Sequence, residues 1–316
     1  MNDRMKSGAL IRITVLALLG VLLAGMSTGS LAAGARARSS ADLLSPIELV
    51  RAAVANEVAA ANDDSTKHMF RARKQNAQGS QTRLYVETRE AMAGMTIAYN
   101  DQPLTSEQMQ AEVERVAAPA ANPEQLRRKQ AQQKEEAEHT LRIVKALPDA
   151  FLYDFEREES STATMGKDGD RLVRLKFRPN PEYHPPSRVE DVLVGMQGVV
   201  VIDPEAKRIA IIDGTLFKEV SFGWGILGHL DKGGHFLVEQ CDVGDGSWDV
   251  SRMSLNFAGK ILLFKSLAIK SDEVFSDFRR VPSNTTFAQG VEMLKAEELK
   301  LAQTQAESAK TETRPH

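Results

Sequence analysis

The stretch Val199-Val200-Val201-Ile202-Asp203-Pro204-Glu205-Ala206-Lys207-Arg208-Ile209-Ala210-Ile211-Ile212-Asp213 decides the fold class of this chain. Two short apolar runs rich in Val and Ile flank Asp203-Pro204-Glu205-Ala206, a tight-turn sequence, so the segment reads as a β-hairpin. Working outward, the same pattern recurs: Phe151–Arg157, Arg171–Phe177, Val199–Ile202, Arg208–Asp213, Phe217–Phe222, His235–Cys241, Trp248–Phe257 and Lys260–Ala268 each read as a strand. Pro, Gly, Asn and Asp mark most of the breaks. Lys67–Lys74, Arg83–Arg89 and Met95–Tyr99 add three more strands upstream. Short strands separated by turn signals, at about 8 to 12 residue spacing, argue for one large antiparallel sheet rather than βαβ units. The predicted fold class is α+β: a large curved antiparallel sheet, an incomplete barrel, covered by helices.

Helix signals fall in three places. Ser45-Pro46-Ile47-Glu48 supplies an N-cap, a proline at N1 and the acid of a capping box, and predicts a helix to about Ala60 with Ile47, Val50, Val54 and Val58 on one face. Thr105-Ser106-Glu107-Gln108 and Asn122-Pro123-Glu124-Gln125 open further helices. Between Glu124 and Leu147 the helix is polar all round until Leu141, Val144 and Leu147, so only its last turns are expected to pack. From about Ser283 a final helix is expected, with a disordered tail after Gln303. The predicted organisation is a signal peptide (1–35), an N-terminal helix and first strands (36–104), a polar helical insertion (105–147), the rest of the same sheet (148–282), and a C-terminal helix and tail (283–316).

The first of these segments predicts the compartment. Arg4, Lys6 and Arg12 precede an apolar run from Ile13 to Ala24, and small residues offer cleavage after Ala32 or Ala35. The run is shorter than the roughly 20 residues that span a bilayer, and reads as a secretory signal peptide. Leu23-Ala24-Gly25-Met26 has Met where a lipobox needs Cys, so a lipid anchor is not expected. The predicted localisation is periplasmic or secreted. Loss of residues 1–35 removes three bases and one acid, moving the net charge from −3 to −5. A mildly acidic chain without a basic cluster is a poor nucleic-acid binder. Its single Cys, Cys241, rules out an internal disulfide and sits in an apolar strand, where a buried inert thiol is expected.

Motifs for chemistry are weak. Gly223-Trp224-Gly225-Ile226-Leu227-Gly228 fits G-x-G-x-x-G, but only four residues precede Gly233-Gly234 and the next strand. No helix fits there to receive a pyrophosphate, so no nucleotide is expected and the segment reads as a glycine-rich bend against which Trp224 packs. The six histidines (68, 139, 184, 229, 235 and 316) form no metal-ligand spacing, and no cofactor or metal is predicted. His229 and His235 flank a Gly-rich turn and read as a surface pair. Only a cleft gathering one of them with an acid and a hydroxyl would favour a hydrolase.

Three strands have one apolar face: Phe151, Tyr153 and Phe155; Val173, Leu175 and Phe177; Met253, Leu255 and Phe257. Such strands need a cover. Either the helices at 45–60 and 284–301 supply it and the interior is filled, or part of the face stays open and these nine residues line a site for an apolar ligand. Val199–Ile202 with Asp203, the Gly223–Gly234 bend, Trp248 and Asp277-Phe278-Arg279-Arg280 resemble the periplasmic lipoprotein-sorting carriers and the related sigma-factor regulatory sensor domains, over roughly 45–100 and 148–282. That resemblance implies a half-barrel closed by helices with an apolar cavity for acyl chains. The expected function is therefore non-enzymatic binding of a lipid acyl chain or lipidated protein. The alternative is an envelope interaction or sensor module with a filled core, which uses the 105–147 helices to engage an envelope protein partner.

Overall fold

The computed structural model describes residues 44–222, 228–244, 246–261 and 265–312. The signal-like segment 1–35 lies outside them, as does the bend at 223–227 with Trp224. The hairpin from which the fold was read forms as expected. Asp203 Oδ1 accepts the amides of Glu205 and Ala206 at 2.9 and 2.8 Å, and Lys207 takes a left-handed φ of 51°, which turns β7 (Met196–Asp203) into β8 (Arg208–Leu216).

The remaining strands are β1 (Lys67–Asn76), β2 (Gly79–Val86), β3 (Ala93–Tyr99), β4 (Gln102–Pro103), β5 (Phe151–Ser160), β6 (Arg171–Pro179), β9 (Val220–Phe222), β10 (Gly228–Leu230), β11 (His235–Gly244), β12 (Ser247–Ile261) and β13 (Lys265–Val281). The helices are α1 (Pro46–Ala61), α2 (Ser106–Ala121), α3 (Pro123–Ala150) and α4 (Phe287–Glu312). All 13 strands belong to one sheet in the order β4-β3-β2-β1-β13-β12-β11-β8-β7-β6-β5, with β10 pairing β12 and β9 as a side branch. The sheet is antiparallel and does not close into a barrel. Among the described residues no helix is long and apolar enough to cross a membrane.

The sequence reading differs at several boundaries. The run read as Arg83–Arg89 pairs as Gly79–Val86; beyond it the Glu87 amide still donates to the His68 carbonyl at 2.9 Å, but the His68 amide turns to the Glu87 carboxylate at 2.6 Å. The run read as Lys260–Ala268 is the end of β12 and the start of β13, a strand that extends to Val281 through a bulge between β1 and β13 where Asp277 has φ 58°. The last helix does not stop near Gln303 but continues to Glu312 through Ala, Glu and Lys, all good helix formers.

Directly paired residues trace which face is apolar. One cross-strand row runs Phe155, Leu175, Val200, Ile212, Val238, Met253, Glu273, Lys74, Gln81, Tyr99 from β5 to β3. The row is apolar as far as Met253 and polar beyond it. On the apolar part lie α1, through Leu49, Val50, Ala53 and Val54, and the last turns of α3, through Ile143, Val144 and Leu147. Over β1–β3 the apolar residues Met69, Leu84, Val86 and Met95 occupy the opposite face, where Val116 of α2 and Phe287, Val291 and Leu294 of α4 cover them. A third cluster, around Trp248, Leu172 and Val201, sits opposite the first and is partly covered by Met165.

Two polar devices hold the helices in place. Arg208 of β8 donates to both carboxylate oxygens of Glu57 on α1 at 2.8 and 2.9 Å, and Glu57 also accepts the Ile209 amide at 3.0 Å. Both side chains are nearly buried. At the other end, the outer side of β3 has only the two residues of β4 beside it. There Glu112 of α2 accepts the Thr96 amide, Arg115 donates to the Gly94 carbonyl at 2.9 Å, and Gln133 of α3 accepts the Met92 amide at 3.0 Å. Burial opposes ionisation of Glu112, but Arg115 and the Thr96 amide outweigh it and hold its carboxyl below the usual range.

Removing one partner of the α1–β8 pair leaves a buried charge alone. Glu57→Gln is expected to lower the unfolding free energy by about 3 kcal/mol in urea titrations, and the double change Glu57→Leu with Arg208→Met to recover most of it. Because Glu112 has a depressed folded-state pKa, the stability it contributes is present above about pH 4.3 and is lost as the pH falls through its lower folded value. Unfolding curves from pH 7 to pH 3 should show a shallower acid-side loss in Glu112→Gln, together with lower stability at neutral pH.

Candidate functional sites: the apolar face and the β9–β10 ribbon

Eight of the nine residues read as an apolar lining come together on the face that α1 and α3 cover. Phe151, Val173, Leu175, Phe177, Met253, Leu255 and Phe257 are buried, and Tyr153 is half-buried with its hydroxyl donating to the Leu147 carbonyl at 2.8 Å. Burial pushes the Tyr153 hydroxyl pKa up. The ninth, Phe155, does not join the lining that the sequence predicts. Although it stands opposite Leu175 in register, it is 58% exposed. It lies on the outermost strand just before a bulge, beyond the reach of α1 and α3, so nothing covers it.

Among the described residues these side chains pack closely against one another. Phe151 packs on Phe177 with ring centroids 4.6 Å apart. The void bounded by Ile143, Val144, Leu147, Phe177, Met196 and Phe236 measures about 20 Å³. That is room for about one water molecule, whereas ligand pockets occupy about 300–1,000 Å³. Its walls are apolar, and α1 and α3 act as the cover that the one-sided strands require. The sequence reading named α1 and the C-terminal helix for this role; α4 instead covers the opposite face over β2 and β3, and α3 takes its place.

The polar helices expected over 105–147 form as α2 and α3. Thr140, Ile143, Val144 and Leu147 are buried in the first core, and Leu126 packs on the second. Arg127, Arg128, Lys134, Glu135 and Glu138 are exposed between them, and the polar surface continues along the helix to Arg142 and Lys145. Lys129, half-buried near Arg83 and Arg115, has its pKa lowered by burial and by those two cations.

A second group of chemistry-bearing residues was only partly visible in the sequence. His229 and His235 do not meet. His235 Nε2 lies 2.8 Å from Asp213, and His229 Nε2 lies 3.3 Å from Asp231. The antiparallel β9–β10 ribbon pairs Val220 with Leu230 and Ser221 with His229. Val220 and Leu230 point into the core, so Ser221 and His229 share the outer face, and Glu219 and Asp231 flank them. A cleft of about 750 Å³ bounded by Arg188, Asp191, Lys218, Glu219 and Ser221 adjoins this ribbon. An acid, a histidine and a hydroxyl are thus gathered beside a cleft, the arrangement that would favour a hydrolase. The contact that chemistry needs is not made: Ser221 Oγ donates to Glu219 at 3.3 Å, and no hydrogen bond joins it to His229 among the described residues. The donor atoms of Glu219, His229 and Asp231 all lie within 4.8 Å of one another, the one such His/Cys/carboxylate group among the described residues. No metal-ligand spacing in the sequence marks it, since the chain's tertiary path supplies the proximity.

Cys241 is buried and its thiol is pushed up by burial, consistent with an inert side chain. His68, another histidine without a motif, is buried with Nδ1 3.5 Å from Asp249 and 3.9 Å from Glu87.

Compared with known proteins, the chain matches no family model, no curated protein and no solved structure. Fold and site together define an α+β protein built on one open 13-stranded antiparallel sheet, with a packed apolar interior and a polar ribbon beside a surface cleft.

The apolar lining behaves as core, and its members should separate by burial. Leu175→Ala is expected to cost about 2–5 kcal/mol in urea unfolding, whereas Phe155→Ser should stay within about 0.5 kcal/mol of the parent.

Proposed function

We propose that this chain is a non-enzymatic extracytoplasmic binding protein, an interaction or sensor module of the cell envelope that presents its α2–α3 helices to a protein partner. One observation carries the reading. α3 is 28 residues long, about 42 Å, yet it is buried mainly over its last turns, which leaves a charged surface along its earlier ones while the interior beneath is filled. A helix of this kind is anchored by the body of the protein and offers its polar side outward. The signal-like N-terminal segment and the resemblance to the carrier and sensor superfamily support the envelope assignment.

Lipid carriage is the second reading, and one specific observation favours it. Eight aligned residues converge on one apolar face, and an apolar void lies against it. Burial of a 14-carbon chain offers roughly 10 kcal/mol before binding costs, enough to hold a lipid without an energy source. To accept such a chain, α1 or α3 would have to move away from the sheet.

The two readings separate in one experiment. Protein purified without detergent from an envelope fraction is extracted with organic solvent for mass spectrometry, and the parent and an Arg127→Glu/Arg128→Glu/Lys134→Glu variant are photocrosslinked in intact cells. The interaction reading predicts a lipid-free extract and a discrete crosslinked protein that the charge-reversed variant loses. A stoichiometric lipid retained through gel filtration, with crosslinks unchanged by charge reversal, would replace it with the carrier reading.

A further inference from the structure

We infer that Glu219, His229 and Asp231 form a binding site for a divalent cation of the zinc class on the outer face of the β9–β10 ribbon. Strand register builds the site. Ser221 and His229 are direct cross-strand partners, and Glu219 and Asp231, just beyond the paired residues, bring their carboxylates within 4.8 Å of the His229 ring nitrogen. The histidine is pinned on both sides, because β10 pairs β12 as well as β9, with His229 opposite Lys260. The close approach at this point depends on Gly259, where a Cβ would lie 2.1 Å from the His229 carbonyl oxygen. Asp231 is held in turn by its amide, which donates to the Ala258 carbonyl at 2.8 Å.

The donor geometry suits a small cation. In a tetrahedral zinc site with bonds of about 2.0–2.1 Å, neighbouring ligand atoms sit about 3.3–3.4 Å apart. His229 Nε2 and Asp231 Oδ1 are 3.3 Å apart, and the Glu219 carboxylate is within 4.8 Å of both, on an exposed side chain that can swing the remaining distance. One imidazole and two carboxylates are a donor set for zinc or a similar first-row ion, with a fourth position left for water. Glu219 and Asp231 bring two carboxylates for a divalent cation to neutralise, while the cationic Lys218 and Arg188 line the wall of the adjoining cleft. The site also adjoins the cleft whose wall includes Glu219 and Ser221.

The test is a calorimetric titration of the tag-free protein with Zn²⁺, paired with a Co²⁺ titration followed by visible absorption. One equivalent should bind, and Co²⁺ should show ligand-field bands. His229→Ala and Asp231→Asn should each weaken binding at least tenfold, while His235→Ala, whose ring pairs Asp213 elsewhere, should leave it unchanged. Circular dichroism confirms that each variant is folded, and having two independent ligand variants keeps the test decisive if one does not fold. Absence of a one-equivalent binding event overturns the site, and so does binding that both ligand variants retain or that His235→Ala weakens equally.

Discussion

An antiparallel sheet that does not close leaves two edges with unpaired amides and carbonyls, and the rest of this structure depends on how those edges are satisfied. Exposed edge groups invite pairing with another chain. At one end, side chains take over where strands run out: Glu112 and Gln133 accept edge amides and Arg115 donates to an edge carbonyl, so α2 and the first half of α3 complete β3. At the other end, β5 ends the sheet as a charged strand with a bulge between Phe155 and Arg157, both of which discourage pairing. α3 contributes at both ends, touching the Met92 amide with Gln133 and entering the core with Leu147 just before the chain becomes β5.

That arrangement explains why the apolar face changes sides. Strands β5 to β12 bury the face beneath α1 and the end of α3, while β1 to β3 bury the opposite face beneath α2 and α4. Where the first face turns polar, Glu273 and Lys74 stand opposite each other in register and within 3.8 Å. A single sheet thus carries helix-covered cores on both of its faces.

The polar sites illustrate how cross-strand pairing creates chemistry from residues that carry no motif. Glu219 and Asp231 are 12 positions apart and His229 is two before Asp231, a spacing that matches none of the helical or loop metal signatures. Antiparallel pairing places residues opposite one another wherever the turn falls, so proximity depends on register. The same holds for Glu57 and Arg208, distant in sequence and joined by two hydrogen bonds.

The sequence by itself determined the elements whose causes are local. Period-two alternation marked most strands, Asp203 marked the central hairpin, and Ser45 with Glu48 and Thr105 with Gln108 marked helix starts that form true capping boxes. Alternation also identified eight of nine residues on the first apolar face. Tertiary structure alone decided which helix covers which face: the last turns of α3 pack on the first apolar face and α4 on the opposite one. It decided that Phe155 stays exposed, because a residue's burial depends on whether its strand lies under a helix or at the rim. It decided, too, that an imidazole and two carboxylates converge beside one ribbon. Those outcomes follow from strand order and register across the whole sheet, set by packing between segments far apart in the chain.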